Sequence, residues 1–248
     1  MTEVADGVVL IHAFPLDARM WDEQVERLRP RMPVVAPSLP GFGGSESSGS
    51  PLSMGAAADR CLRELDAAGI ERAVVCGSSM GGYVAFEVWR MARQRVAGMV
   101  LANTRSGADT EQAADGRRAL AARLRAEGNG FLVAEPPPLL ASPMGDGAWG
   151  FVREVIADQP AESIAAAAEG MAERSDSTPD LGTIDVPTLV LTSDADELIP
   201  AEVSLQMVPH IADAQAVTIP GAGHLSNLED PAAFESALGG FLDRFRFV

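Results

Sequence analysis

Short apolar runs alternate along this chain with longer segments in which apolar residues recur at helical spacing. A brief run of apolar, often β-branched residues predicts a buried strand, and the helical spacing predicts an amphipathic helix. In the first part of the chain the expected strands lie at 8–12, 33–37, 73–76 and 96–102. The expected helices between them lie at 21–29, 53–68 and 80–92. Strands and helices that alternate in this way predict a mostly parallel sheet with helices on both faces.

This alternation is interrupted between residues 104 and 182. The stretch, called here the inserted segment, holds no run typical of a strand, and its patterning predicts helices at 110–127, 149–157 and 161–174. Strands return at 188–191 and 216–219, each followed by a helix, at 201–208 and 231–245. We therefore predict one α/β domain with about six parallel strands. Its core consists of residues 1–103 and 183–248, and residues 104–182 form a helical cap.

The charge balance narrows the classes of partner. The 248 residues include 35 acidic and 19 basic side chains, which gives a net charge of −16. A phosphate backbone or an anionic membrane surface binds basic faces, so neither nucleic acid nor membrane is expected as a partner. The same balance slightly favours a neutral substrate over a strongly anionic one.

Cysteine usage and the start of the chain bear on the compartment. Cys61 and Cys76 lack metal-ligand spacing and are expected to be buried, reduced thiols. Residues 1–7 lack the basic and apolar regions of a secretory signal, and no apolar run approaches the roughly 20 residues of a membrane span. We therefore expect a cytoplasmic protein without a metal site.

The strongest chemical signal is the pentapeptide 77–81, Gly-Ser-Ser-Met-Gly, which fits G-x-S-x-G between an expected strand and an expected helix. Such a turn presents its central serine at a strained backbone position, and small residues two positions away prevent clashes. Ser79 has glycine at both of these positions, whereas Ser78 would have Cys76 and Met80. An ordinary glycine-rich turn is the simpler alternative. The strand-to-helix context favours Ser79 as a nucleophile beside a helix N-terminus that can stabilise an oxyanion.

A serine nucleophile needs a base, and the chain has three histidines. His224 follows the last expected strand of the sheet, and loops at the carboxyl ends of parallel strands hold ligands in open α/β sheets. His210 lies in a helix-to-strand connection at the opposite end of the sheet, where a surface position is expected. His12 ends the first strand and is expected to fix the loop that follows it. His224 is therefore the candidate base.

The base in turn needs an acid that orients it. Asp194 and Asp196 both follow the strand at 188–191, and the order serine, aspartate, histidine along the chain is a known triad order. Position alone leaves both aspartates open. Whichever is not the acid is expected to cap a helix or a turn.

These motifs, with several other segments, resemble the α/β-hydrolase superfamily, in particular its small capped esterases, enol-lactonases and arylesterase-like enzymes. The matching segments span nearly the whole chain and comprise 10–15 with Trp21, 39–45, 77–81, 193–200 and 221–231. The resemblance implies that Asp196, which precedes an apolar pair and a proline, is the acid. Some relatives place the acid where this chain has Asn103, so that variant is not expected. The resemblance also implies that the backbone N–H groups of Phe14 and Met80 form the oxyanion hole.

The chain departs from the superfamily pattern in three ways. Ala13 replaces the glycine that usually follows the histidine of the first strand, and Ser38 stands where an aspartate is common. The backbone donor at Phe14 survives the first change. The first strand begins close to Met1, so the antiparallel hairpin that opens many relatives is expected to be missing or vestigial.

The resemblance implies a serine hydrolase that cleaves a small carboxylic ester or lactone through an acyl-enzyme, without a cofactor. One alternative is other chemistry on the same triad, such as C–C bond hydrolysis, perhydrolysis or lyase chemistry. Another is a ligand-sensing protein without turnover. Apolar residues of the inserted segment, with the ring of His12, are expected to line the substrate pocket. The candidates are His12, Phe131, Trp149 and Phe151, with Met144 nearby.

Overall fold

A fully parallel sheet of six strands organises the part of the chain that the computed structural model describes, residues 3–49, 51–142 and 147–247. In chain order the strands are β1 (Glu3–Ala5), β2 (Gly7–Ile11), β3 (Val34–Val35), β4 (Ala73–Ser78), β5 (Val96–Ala102), β6 (Thr188–Ser193), β7 (Ala214–Ile219) and β8 (Phe245–Phe247). Strands β2 to β7 form the large sheet in the spatial order β3-β2-β4-β5-β6-β7, and β1 pairs separately with β8.

The middle strands of this sheet are apolar on both faces, as continuous apolar runs predict. Every residue of β4, β5 and β6 is buried, whereas the edge strand β7 is largely half-buried or exposed. Burial on both faces requires helices above and below the sheet. The predicted number and direction of the strands are confirmed.

The connecting helices pack on the sheet and on one another. In chain order they are α1 (Asp22–Leu28), α2 (Met54–Ala67), α3 (Met80–Ala92), α4 (Glu111–Glu127), α5 (Gly130–Ala134), α6 (Gly147–Asp158), α7 (Ala161–Ala172), α8 (Ala201–Leu205), α9 (Ser226–Glu229) and α10 (Pro231–Leu242). The Ser53 hydroxyl caps α2 by accepting a hydrogen bond from the N–H of Ala56 (3.1 Å). No helix in the described ranges is both long and apolar enough to span a membrane.

Several element boundaries differ from the sequence-based expectation. The helix expected at 231–245 ends at Leu242, and Phe245 instead starts β8, which pairs in parallel with β1. The strand expected at 33–37 shrinks to two residues, because prolines at both ends of the run have no N–H to donate to a ladder. Helices α5 and α9, of five and four residues, were not predicted because they are too short to show a helical period.

Helices α4 to α7 follow one another between β5 and β6, so the inserted segment interrupts the alternation of strands at a single place. Helices α4 and α7 pack along each other. Arg125 of α4 bridges Glu162 and Glu169 of α7, with N–O distances of 2.9 and 2.5 Å. The long helix α4 is therefore held to another helix of its own segment.

Candidate active site

Ser79 lies in the sharp turn between β4 and α3. Its φ of +53° and ψ of −113° lie outside the regions that side-chain-bearing residues prefer, at a cost of about 1 to 3 kcal/mol. Two hydrogen bonds hold this backbone. The N–H of Ser79 donates to Ala102 O (2.9 Å), and the hydroxyl of Thr104 donates to Ser79 O (2.8 Å). The strained serine is thus fixed from the neighbouring strand β5 and the loop after it.

The glycines around Ser79 are required by close backbone approach. A Cβ atom on Gly77 would overlap the carbonyl oxygen of Gly81. A Cβ atom on Gly81 would in turn overlap the carbonyl oxygen of Ile11 at the end of β2. The small residues of G-x-S-x-G therefore let the turn close against itself and against the neighbouring strand.

The structure brings Ser79, His224 and Asp196 into one hydrogen-bonded chain. His224 Nε2 lies 2.7 Å from Ser79 Oγ, and His224 Nδ1 lies 2.8 Å from Asp196 Oδ2. His224 and Asp196 are buried, at 2% and 5% exposure. An aspartate at Nδ1 favours the tautomer with its proton on that nitrogen, which leaves Nε2 free to accept the proton of the serine.

Asp196 is held as a carboxylate by several donors. Its Oδ1 accepts hydrogen bonds from the backbone N–H groups of Leu198 and Ile199, both at 2.9 Å. Burial by itself would raise the pKa of Asp196, but the hydrogen bonds from His224, Ile199 and Asn103 outweigh it and lower that pKa below its ordinary value. The charged form that steadies an imidazolium is therefore maintained.

Asn103 is a site residue whose contribution sequence reasoning missed. Its side-chain N–H groups donate to Asp196 Oδ2 (3.0 Å) and to Ser193 Oγ (2.5 Å), and its Oδ1 accepts from Ser226 Oγ (2.8 Å). It has a positive φ of 45°, directly after β5. Its position at a strand end was the available signal, but it was considered only as a place where an acid is absent.

Asp194, the other candidate acid, is exposed and turned away from His224. Its Oδ1 accepts the backbone N–H of Gly221 at 2.6 Å, which closes the turn after β7. Of the two aspartates that position alone left open, Asp196 contacts the histidine and Asp194 has the turn role.

Phe14 and Met80 flank the serine with backbone N–H groups that donate to no acceptor within the described ranges. Met80 N–H belongs to the first turn of α3, where helical N–H groups lack intrahelical partners. Phe14 lies in the loop after β2 and lines the same cavity as Ser79. Both donors are therefore available to an oxygen beside the serine.

His12 contacts the loop that bears Phe14 through its buried imidazole ring. It is fully buried, its Nε2 accepts the backbone N–H of Leu39 at 3.0 Å, and its Nδ1 lies 3.1 Å from Ala13 O. Because a backbone N–H can only donate, Nε2 carries no proton and the ring is neutral. Burial lowers the pKa of His12 to about 4. His12 thus ties the loop after β2 to the loop at Leu39, as its position at a strand end predicted.

A cavity of about 230 Å³ opens beside Ser79 and His224. The core and the inserted segment both line it, with Phe14, Ser79, Tyr83, Arg105, Arg117, Leu120, Pro137, Leu139, Met171, Leu198, Ile199 and His224. The lining is mainly apolar, which suits a small substrate with an apolar body.

The four side chains assigned to this pocket from sequence do not line it, and that assignment is corrected. His12 is buried beneath the loop, and the ring of Phe131 lies under the Arg123 guanidinium, 3.7 Å away. Trp149 is buried and donates its indole N–H to Ser142 O (2.9 Å), and Phe151 packs against the core. Large apolar side chains are mostly buried, and these aromatic residues pack within the interior instead of facing the cavity. Met144 lies outside the described residues.

Two arginines of the inserted segment, Arg105 and Arg117, reach this cavity and were not anticipated. Both bind Asp109, whose side chain is completely buried, at 2.5 Å each. Arg174 makes a third ion pair with Asp109 (2.8 Å) and stacks on the ring of Tyr83. Arg117 lies in the helix expected at 110–127 and Arg105 precedes it, and no pattern in the sequence links either arginine to Asp109.

The remaining candidate residues have other surroundings. His210 is exposed in the turn before β7, and Cys61 and Cys76 are buried and unpaired. Burial raises the pKa of the Cys61 thiol to about 12. Within the described segments, no group of three histidine, cysteine, aspartate or glutamate side chains is arranged to hold a metal ion.

Comparisons with known proteins identify the family of this chain. Residues 8–237 match the model of the alpha/beta hydrolase family. The 3-oxoadipate enol-lactonase 1 of Acinetobacter baylyi is 31% identical, over 97% of this chain and 90% of that protein. The pimeloyl-[acyl-carrier protein] methyl ester esterase of Neisseria meningitidis is 27% identical, over 98% of this chain and 96% of that one. The malate-bound thermophilic esterase of Thermogutta terrifontis superposes with a TM-score of 0.93 at 39% identity, covering 98% of this chain and 91% of that structure. The chain therefore belongs to the alpha/beta hydrolase family.

Proposed function

We propose that this protein is a serine hydrolase that cleaves a small carboxylic ester or lactone, with Ser79 as nucleophile, His224 as base and Asp196 as the orienting acid. The observation that carries the proposal is the unbroken hydrogen-bonded chain from Asp196 through His224 to Ser79, which ends on the cavity. Ester-bond hydrolysis is also the activity named for the relatives matched over nearly the full chain.

In the first step Ser79 Oγ attacks the carbonyl carbon of the ester while His224 Nε2 takes its proton. The charge that develops on the carbonyl oxygen is stabilised by the N–H groups of Phe14 and Met80, at about 3 kcal/mol for each donor. His224 then gives the proton to the departing alkoxide, which leaves an acyl-serine. A water molecule, deprotonated by His224, attacks this acyl group, and the serine recovers its proton as the acid product leaves.

Asp196 keeps the proton of His224 on Nδ1 and stabilises the imidazolium that forms in both steps. Asn103 and the two N–H groups at Leu198 and Ile199 orient that carboxylate. The imidazole therefore stays aimed at Ser79 throughout the cycle. Each of these contacts is already formed in the free protein, as preorganised catalysis requires.

The proposal includes a role for the inserted segment as a cap over the site. Arg117 and Leu120 of α4 and Met171 of α7 line the cavity together with Ser79. A segment that covers the reacting atoms excludes water and selects substrates by shape. The small volume of the cavity favours a short acyl group or a small lactone.

The nucleophile is tested by comparing the wild type with Ser79→Ala. We expect the wild type to react with a fluorophosphonate and to hydrolyse short p-nitrophenyl esters. The variant should lose the label, and its kcat should fall by a factor on the order of 10⁴ to 10⁶. Circular dichroism shows whether the variant is folded. A folded wild type that neither labels nor turns over any short ester contradicts the proposal.

The acid is tested by a matched pair, Asp196→Asn and Asp194→Asn. The first change removes the charge that holds the His224 tautomer, so kcat should fall by roughly 10²- to 10⁴-fold. The second removes the same charge two residues away, from a carboxylate that contacts Gly221, and kcat should stay within about 3-fold of the wild type. Steady-state kinetics on one p-nitrophenyl ester measures both. A larger loss of kcat in Asp194→Asn than in Asp196→Asn would contradict the assignment of Asp196 as the acid.

A further inference from the structure

The cavity beside Ser79 contains two positive side chains and, among its described lining residues, no carboxylate. Arg105 and Arg117 line this cavity, and their side chains are 30% and 23% exposed, so neither is fully solvated. The rest of the lining is apolar apart from Tyr83 and the two reacting residues. Positive charge in an apolar, partly closed site interacts strongly with an anion because solvent screens it little.

Three arginines share one carboxylate next to this cavity. Asp109 is the single carboxylate in this cluster, and it binds Arg105, Arg117 and Arg174. No other ion pair of these three arginines occurs among the described residues. Of these three arginines only Arg105 and Arg117 are among the described lining residues, so two guanidiniums share one carboxylate there and leave a surplus of one positive charge at the cavity wall.

Some N–H groups of the Arg117 guanidinium have no strong hydrogen-bond acceptor among the described residues. Its Nε donates to Asp109 Oδ2, and its Nη1 points at the sulfur of Met171 at 3.4 Å, which is a weak acceptor. Its Nη2 has no acceptor within the described segments. Arg105 donates to Asp109 through Nη2, and its Nε is buried without a partner. Asp109 therefore aligns both guanidiniums but leaves N–H groups of each unused.

We propose that the substrate carries a carboxylate away from its reacting carbonyl, and that Arg117, together with Arg105, binds this carboxylate. The inference rests on the proposed function and deepens it. A planar guanidinium recognises a carboxylate through paired hydrogen bonds, and the apolar stretch at Leu120, Leu139 and Ile199 suits a short methylene chain. The substrate is then a small ester or lactone that also bears a free acid group.

The proposed anionic substrate differs from the neutral substrate that the net charge favours. A total of −16 favoured a neutral substrate, but the 35 acidic side chains are spread over the whole chain, and the described lining of the cavity includes none of them. At a distance beyond the Debye length of about 8 Å, exposed charges are screened, so the local arginines decide binding inside the cavity. The anion is attracted at the site even though the whole molecule is acidic.

The test uses two pairs of esters that differ only in charge. In the first, mono-p-nitrophenyl glutarate is compared with the same ester whose far carboxyl is a primary amide. In the second, the butyryl ester of 3-hydroxybenzoate is compared with that of 3-hydroxybenzamide. The first pair places the charge on the acyl side and the second on the alcohol side. We expect kcat/KM at low salt to favour the anionic member of at least one pair by roughly 10- to 100-fold.

Two variants and one control test whether the preference for anionic esters depends on Arg117 and Arg105. Arg117→Gln should reduce this preference to less than about 3-fold, and Arg105→Gln should reduce it in the same direction. Arg118→Gln removes the same charge one residue along α4, from a side chain that is 53% exposed and pairs with Asp115, so it should keep the preference. If Arg117→Gln fails to fold, the kcat/KM ratios of anionic to neutral esters in the wild type and in Arg105→Gln still test the inference. Glutarate should inhibit competitively and more strongly than inorganic phosphate at the same concentration.

Equal kcat/KM within both pairs, or a preference that survives both arginine variants, would overturn the inference. Stronger inhibition by phosphate would overturn the carboxylate assignment. If neutral esters are hydrolysed in a Ser79-dependent manner without any preference for anions, the proposed function stands and this inference alone fails. If no ester is hydrolysed, the proposed function fails, and calorimetric titration of the wild type and Arg117→Gln with glutarate then decides whether the anion site exists.

Discussion

At the scale of single residues, His12 shows how a buried histidine can be structural. The ring is fully buried, packs edge-on against Phe42, and accepts the Leu39 N–H at Nε2. Protonation would place an N–H against another N–H and bury a charge, so burial lowers the pKa of His12 to about 4. The neutral ring is thus a condition for the loop that presents Phe14.

The lowered pKa of His12 predicts a loss of folding stability in mild acid. The unfolded chain binds a proton at this residue below pH 6.5 and the folded protein only below about 4, so stability falls as pH drops through this window. Between pH 7.5 and 4.5 the loss from His12 is about 2 to 3 kcal/mol. Urea unfolding of the wild type and His12→Gln at the two pH values should show this difference only in the wild type.

The control for this experiment is His210→Gln, which removes an exposed histidine and should keep the wild-type pH dependence. Asp196 and Asp109, whose pKa values are lowered in the fold, contribute stability that is lost only at lower pH, as each carboxylate becomes protonated. An equal pH dependence in His12→Gln and the wild type would show that another group titrates in this window.

At the scale of elements, one carboxylate joins the inserted segment to the loop that bears His224. Glu229, at the end of α9, accepts the N–H groups of Gly223 (2.5 Å) and Ala141 (3.0 Å) at Oε2, and that of Ser142 (2.7 Å) at Oε1. The N–H of Leu225 also donates to Leu139 O (2.9 Å). We infer that Glu229 is a positioning residue for His224, since it fixes the residue immediately before the histidine.

Glu229→Gln tests this inference, because an amide offers a single acceptor oxygen to three N–H donors. We expect unfolding free energy to fall by about 2 kcal/mol and kcat/KM for a short ester to fall roughly 10-fold. Glu197→Gln, an exposed glutamate beside Asp196, removes the same charge and should leave both values near those of the wild type. A loss of stability with unchanged kcat/KM would show that Glu229 holds the segment without positioning His224.

At the scale of the whole molecule, the two ends of the described chain pair with each other. Strand β1 lies parallel to β8, with Val4 opposite Arg246, and the ring of Phe245 packs over Gly98 of β5. A Cβ atom at Gly98 would meet that ring, so the glycine provides room for it. The small sheet is thereby anchored on the large one.

Local patterns in the sequence were sufficient to predict the central strands, the turn around Ser79 and the cap at Ser53. The apolar runs predicted β2, β4, β5 and β6 because central parallel strands are buried on both faces and have few alternatives. The pentapeptide around Ser79 was recognisable because its glycines meet a steric requirement that no larger residue satisfies. Capping by Ser53 was predictable for a similar reason, since the hydroxyl bonds a backbone group three residues away.

Contacts between distant segments lay beyond such patterns. The helix expected at 231–245 gave way to β8 because a partner strand from the other end of the chain was available. The pocket residues were assigned wrongly because an aromatic side chain on a short helix can face either its own segment or the cavity, and local sequence does not distinguish the two. Asn103 and Glu229 became visible as site residues only through hydrogen bonds to residues far along the chain.

The sequence by itself determined the alternation of strands and helices, the candidate nucleophile Ser79 and the candidate base His224, because each depends on local backbone geometry or on few alternatives. Position alone left Asp194 and Asp196 open and the family resemblance favoured Asp196, whereas only the tertiary structure showed that Asp196 contacts His224 and that Asp194 contacts Gly221. Only the tertiary structure gathered Arg105, Arg117 and Arg174 around Asp109. The physical reason is range. Backbone sterics act over a few residues, whereas hydrogen bonds and charges act between whichever groups the fold brings together.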